Sequence, residues 1–223
     1  SALSTAIAEL ESQLGVQLFE RDNKKVLVTP VGEQILARAT AISLEIDDIY
    51  RLATMAREPL SFPMTMGVIP TIGPYLLPKV LPAVRREYPE FRLSIAEEQS
   101  HVLVDKVRSG ELDTAVLALP YAHEGLLDFP FWDENLVVVT HRDNPLPLPS
   151  PLAACDLQAS SLDETLEGAS LYTLIQMVAG HMGSTLVPEM ALDQLLSGSS
   201  ELAAIRLEEP GPHRSIAFIA RPN

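Results

Sequence analysis

Val16-Gln17-Leu18-Phe19-Glu20, Arg21-Asp22-Asn23-Lys24-Lys25 and Val26-Leu27-Val28, running into Thr29-Pro30, decide how the first part of the chain folds. Two short apolar runs flank a basic turn, the pattern of two strands joined as a hairpin. Thr29 then stands where a helix N-cap belongs, and Pro30 at the first helical position, where its missing N–H costs nothing. Upstream, Leu3, Ile7, Leu10 and Leu14 fall at helical spacing and make one apolar stripe, on a helix ending near Gly15. Ser1, Ser4, Thr5 and Ala8 lie on its other face. Downstream, Ile35, Ala39, Ile42, Ile46, Ile49 and Ala53 repeat at four, three, four, three and four. That is an a/d seam about three heptads long, the pattern of a dimerising coiled coil. The plainer reading is an amphipathic helix lying on its own domain. Asp47-Asp48, off the seam, reads as a solvated face.

Composition sets the outer bounds. The chain has 223 residues, 47% hydrophobic and 21% charged, which suits one large or two small folded domains and excludes wholesale disorder. A net charge of −14 excludes a general nucleic-acid coat but leaves room for a local basic patch. One cysteine excludes a disulfide framework. No basic-then-apolar leader and no run near the ~18 apolar residues of a span is present, so a cytoplasmic chain with no membrane partner is expected. The chain opens at Ser1 inside a helix, and a preceding part is expected to belong to it.

Past the proline hinge Glu58–Pro63 the chain alternates. Met64–Ile69 reads as a strand, Ile72–Tyr88 as a helix, Phe91–Glu97 as a strand, His101–Ser109 as a helix and Asp113–Leu119 as a buried strand. That alternation predicts an α/β domain with a largely parallel sheet. Leu136–Thr140, Ser184–Val187 and Ile216–Ala220 read as further strands, with helices over Ser170–Val178 and from Pro188. Two α/β lobes suit the length. The stretch Asn144-Pro145-Leu146-Pro147-Leu148-Pro149-Ser150-Pro151 fits neither lobe; it reads as a true linker or, favoured because the second lobe is short of a strand and a helix, as a join where residues are missing.

Leu14-Gly15-Val16-Gln17-Leu18-Phe19-Glu20-Arg21 with Val28-Thr29-Pro30-Val31-Gly32 resembles the LysR-type transcriptional regulators. The resemblance covers the whole chain. It implies a partial winged helix-turn-helix over 1–29, a dimerising linker helix over 30–57 and a two-lobed α/β regulatory domain of periplasmic-binding-protein type. Lobe I would be 62–136 with 209–223, and lobe II 137–208. Three stretches resemble the peroxide-sensing members of that family: Gly67-Val68-Ile69-Pro70-Thr71-Ile72-Gly73-Pro74-Tyr75-Leu76-Leu77-Pro78, Glu98-Gln99-Ser100-His101 and Ala169 to Gly180. The resemblance implies a transcriptional regulator, not an enzyme, that senses hydrogen peroxide by a thiol–disulfide switch. It needs no cofactor and no metal. Its partners would be promoter double-stranded DNA, RNA polymerase and further copies, as homodimer and homotetramer. Cys155 matches the resolving cysteine, while the Gly-His-Cys segment of the reactive one is absent at the expected join. The first helix would enter a major groove, with Ser1, Ser4 and Thr5 near the DNA, and Arg21, Lys24 and Lys25 would contact phosphate. Thr71 and Ser100 would line the effector or peroxide pocket.

Each of these residues has a plainer reading. Thr71 precedes a helix, where free N–H groups and the dipole favour a polar guest, but it also fits an ordinary N-cap. Ser100 fits an N-cap equally well. A lone cysteine is usually a small buried apolar residue. His101, His123, His141, His181 and His213 show no metal-ligand spacing. No phosphate loop or nucleophile elbow occurs. A regulator of a stable small molecule, with Cys155 incidental, stays open beside the redox switch. A transport receptor conflicts with the missing leader and the seam.

Overall fold

The computed structural model describes residues 2–22, 25–55, 62–144, 170–207 and 213–222. The chain divides into two units, Ser1–Phe62 and Pro63–Asn223.

In the first unit, α1 spans Ala2–Leu14 and ends at Gly15, whose φ of +68° turns the chain out of the helix. Strands β1 (Phe19–Asp22) and β2 (Lys25–Val28) pair antiparallel, with Phe19 opposite Val28 and Arg21 opposite Val26. Helix α2 spans Pro30–Met55. Thr29 Oγ1 accepts from Gly32 N at 2.9 Å, the N-cap bond that the Thr-Pro pair predicts. A Cβ on Gly32 would come within 2.3 Å of the Leu18 carbonyl, so only glycine lets α2 approach the hairpin this closely.

In the second unit, β3 (Met64–Val68), α3 (Gly73–Glu87), β4 (Leu93–Glu97), α4 (Ser100–Ser109) and β5 (Thr114–Leu119) give the expected alternation. Strand β3 is parallel to both β4 and β5. Leu103 and Val107 of α4, Val68 of β3 and Val116 and Leu117 of β5 are buried together with Ile216 and Ile219. A Cβ on Gly67 would sit 2.4 Å from Leu103 Cδ2, which is how tightly α4 presses on β3.

The chain then continues as β6 (Leu127–His141), α5 (Leu171–Ala179), β7 (Ser184–Pro188), a 3-10 turn at Glu189–Ala191, α6 (Leu192–Leu195), β8 (Leu202–Arg206) and β9 (His213–Ala220). The strands form one seven-stranded mixed sheet in the order β4-β3-β5-β9-β6-β7, with β8 also on β6. Strand β6 is far longer than the expected Leu136–Thr140. Its first part, Leu127–Asn135, pairs with β9; its last part pairs with β7 and β8. The partner change thus falls inside one continuous strand. Pro130 interrupts the polar alternation that would mark its start, and it sits at a register shift, where a missing N–H is tolerated. The helix expected from Pro188 is instead the strand end, the 3-10 turn and the short α6. Ser170 does cap α5, its Oγ accepting from Thr173 N.

Candidate functional site

Thr71 lies in the turn between β3 and α3. The α3 N-cap is Ile72, without a side-chain cap bond, so the ordinary N-cap reading of Thr71 is replaced. Its hydroxyl goes to a different partner. Arg214, on β9, donates from Nη1 to Thr71 Oγ1 at 2.7 Å and from Nη2 to the Thr71 carbonyl at 3.0 Å. Arg214 also donates from Nε to Glu134 Oε2 on β6 at 2.8 Å, and its Nη2 forms an ion-pair contact with the same oxygen at 2.8 Å. Glu134 Oε1 accepts from Met190 N at 2.8 Å. The pair is nearly closed to water, with 12% of the Arg214 side chain exposed and 2% of Glu134.

This geometry fixes the chemistry of the hydroxyl. A guanidinium has only donors, so Thr71 Oγ1 accepts from it, and its own proton remains available to a guest. Arg214 and Glu134 neutralise each other, so the cluster carries no net charge. The first turn of α3 already faces a carboxylate: a Cβ on Gly73 would lie 3.3 Å from Glu97 Oε2. Tyr75, in the same first turn of α3, has its phenol pKa raised, first by burial and then by the Glu97 charge. A small uncharged polar guest suits these surroundings better than a second anion.

Ser100 opens α4, but the N-cap is Gln99, so its ordinary N-cap reading also gives way. Val68 pairs with Glu97 across the parallel β3 and β4. Thr71 and Ser100 each follow three residues after that pair, at the carboxyl ends of adjacent strands, where open α/β sheets bind ligands. Ser4 and Thr5 are exposed on α1, and Arg21 and Lys25 take ladder positions on the hairpin. Ser1, Lys24 and Cys155 lie outside the described residues. Ile42, Ile46 and Ile49 of the expected seam are 62%, 49% and 65% exposed. Ile35 is half-buried, and Ala39 and Ala53 are exposed.

Sequence reasoning missed Arg214 and Glu134. Thr71 and Arg214 stand 143 positions apart, and no local spacing ties them. The one available signal is Arg214 near the start of the otherwise largely apolar β9; Glu134, in the middle of β6 between Asp133 and Asn135, carries none. Among the described residues no group of three His, Cys, Asp or Glu side chains is placed to hold a metal, and no helix is long and apolar enough to cross a membrane.

Comparison with known proteins places the chain. Residues 1–33 match the bacterial regulatory helix-turn-helix protein model of the lysR family, and residues 58–162 match the LysR substrate binding domain. A probable hydrogen peroxide-inducible genes activator of Streptomyces viridosporus is 35% identical, across 99% of this chain and 78% of the relative. The HTH-type transcriptional regulator EstR of Acinetobacter baylyi is 34% identical, across 99% and 81%. A full-length OxyR variant of Pseudomonas aeruginosa superposes with a TM-score of 0.79 at 32% identity, across 99% of this chain and 82% of that one. The chain therefore belongs to the LysR family of transcriptional regulators, whose members are DNA-binding regulators rather than enzymes. The alignment to the Streptomyces protein runs over 246 positions, more than the 223 residues of this chain, so that relative has residues with no counterpart here.

Proposed function

We propose that this regulator senses hydrogen peroxide, with Thr71 and Ser100 lining the peroxide pocket and Cys155 as the resolving thiol of a disulfide switch. The observation that carries the reading is the Thr71 hydroxyl, held by Arg214 as an acceptor in a cluster of no net charge. Such a group donates to a peroxide oxygen, and the nearby Glu97 carboxylate disfavours an anionic guest. The similarity to peroxide-inducible activators over 99% of the chain supports it.

In the switch, a cysteine of the full-length product, in the Gly-His-Cys segment absent from this sequence, attacks one peroxide oxygen as thiolate. Hydroxide leaves and is protonated to water, giving a sulfenic acid. The Cys155 thiol then attacks that sulfur, releasing a second water and forming the disulfide. Homodimers form through the Ile35–Ala53 seam and pair into tetramers. The α1 face with Ser1, Ser4 and Thr5 enters the major groove, and Arg21, Lys24 and Lys25 meet phosphates. Bound at a promoter in the cytoplasm, the protein contacts RNA polymerase. The regulatory lobes are 62–136 with 209–223, and 137–208.

The test is mass spectrometry of the full-length protein after a peroxide pulse. The wild type should form an intramolecular disulfide that includes Cys155. Cys155→Ser should stop at sulfenic acid or proceed to irreversible acids. A wild type that activates its promoters while Cys155 stays reduced refutes the switch. The second reading then stands: a regulator of a stable uncharged effector held at Thr71, for which the similarity to EstR leaves room.

A further inference from the structure

We propose that Glu11 is the positioning residue that fixes the wing hairpin on the helix α1; this rests on the DNA-binding reading of α1 and the wing given above. Glu11 lies in the last turn of α1. Its carbonyl accepts from Gly15 N at 2.9 Å, an ordinary helical bond. Its carboxylate does something separate. Oε1 accepts from Leu18 N at 2.7 Å and from Phe19 N at 3.0 Å. Phe19 is the first residue of β1, so one side chain of α1 holds the backbone at which the wing begins.

The same short stretch is clamped from the other side. The Leu18 carbonyl accepts from Thr29 N at 2.9 Å, and the Gln17 carbonyl from Thr29 Oγ1 at 2.8 Å. Glu11 is thus the tie from α1, and Thr29 the tie from α2. Arg21 and Lys25 ride on the hairpin that leaves this clamp. If α1 sits in a groove, the angle at Phe19 decides which phosphates the wing cations reach.

An acidic residue in the last turn of a helix opposes the helix dipole, and α1 has no basic residue there to offset it. Its two charge-assisted bonds to main-chain N–H groups are the compensation, and such bonds are about twice as strong as neutral ones. Glutamine can make the same two bonds through its amide oxygen. Aspartate, one methylene shorter, keeps the charge but falls short of both N–H groups.

The experiment titrates full-length wild type, Glu11→Ala, Glu11→Asp and Glu11→Gln onto a mixed-sequence DNA duplex by fluorescence anisotropy over a range of NaCl. Hydrogen exchange at the Leu18 and Phe19 amides is followed alongside. Alanine and aspartate should lower the slope of log K against log salt by about one unit for each of Arg21, Lys24 and Lys25 that loses its phosphate. Both should also speed exchange at the two amides, whereas glutamine keeps slope and protection. A folded Glu11→Ala protein with the wild-type slope overturns the inference. Should the alanine protein not fold, the other two decide: a glutamine slope as low as that of aspartate, or an aspartate slope equal to wild type, also overturns it. A wild type without salt-dependent duplex binding refutes the DNA reading itself.

Discussion

Replacing Glu134 by alanine should cost the second unit about 3–5 kcal/mol, the range for removing one partner of a buried ion pair. The structure sets this magnitude. Glu134 accepts from Arg214 Nε and Met190 N, and ion-pairs with Arg214 Nη2, all at 2.8 Å, with 2% of its side chain exposed. Alanine supplies no acceptor, and Arg214, 12% exposed, cannot reach water without leaving Thr71. Glu134→Gln keeps one acceptor oxygen, for Met190 N, but loses the charge and turns an amide NH2 toward the Arg214 donors, so it should still cost about 1.5–3 kcal/mol, the worth of hydrogen bonds to a charged group. Adding Arg214→Met to Glu134→Ala should recover about 1 kcal/mol or more, because the orphaned charge is gone. Urea unfolding of the full chain, followed by near-UV circular dichroism of the second unit, measures all three, provided the m-values agree. A Glu134→Ala protein within about 1 kcal/mol of wild type would show that the pair is not a buried, water-excluded unit. The site built on Thr71 would then lose its electrostatic basis.

Three further outcomes are expected. Thr71→Val removes the hydroxyl while keeping its shape, and should raise the peroxide concentration for half-maximal oxidation by at least about tenfold, the worth of one hydrogen bond of roughly 1.4 kcal/mol; an unchanged dose response excludes Thr71 from the pocket. Ile42→Asp places a carboxylate in each strand of the exposed seam of α2 and should shift sedimentation toward monomer, whereas an intact assembly rejects the seam. His123 is raised above the usual 6.5, first by the hydrogen bond to the Tyr121 carbonyl and then by Asp128. A raised folded-state pKa means its stabilisation is complete below the unfolded value and is lost as pH rises through the folded value. The urea midpoint of wild type over His123→Ala should therefore be larger at about pH 6 than at about pH 8, and equal differences would discard the contact.

The legible parts of the fold were those with local grammar. Thr29-Pro30 announces its helix because both residues act within one turn, and the β3–β5 alternation is legible because each helix closes on a nearby Gly or Pro. Strand β6 was not, because Leu127-Asp128-Phe129-Pro130-Phe131-Trp132 lacks alternation and carries a proline that only a register shift can absorb. Strand β8 was missed because Leu202-Ala203-Ala204-Ile205-Arg206 contains good helix formers; pairing with β6 overrides that preference. At the site, Thr71 was legible by its place before a helix. Its function in the cluster was not, because Arg214 and Glu134 reach it through the tertiary fold alone. The wing clamp was illegible for a different reason: Glu11 looks like any surface helix residue until Gly15 folds Leu18 and Phe19 back onto it.

The long strand β6 has a mechanical consequence. Because β9 grips its first part and β7 and β8 its last, the two halves of the sheet are welded to one hydrogen-bonded bar rather than linked by free cords. The change of partner falls between Asn135 and Leu136, with no loop between the two halves of the strand. Slack linkers would let the halves drift independently. A continuous strand instead offers the two halves no hinge between Asn135 and Leu136.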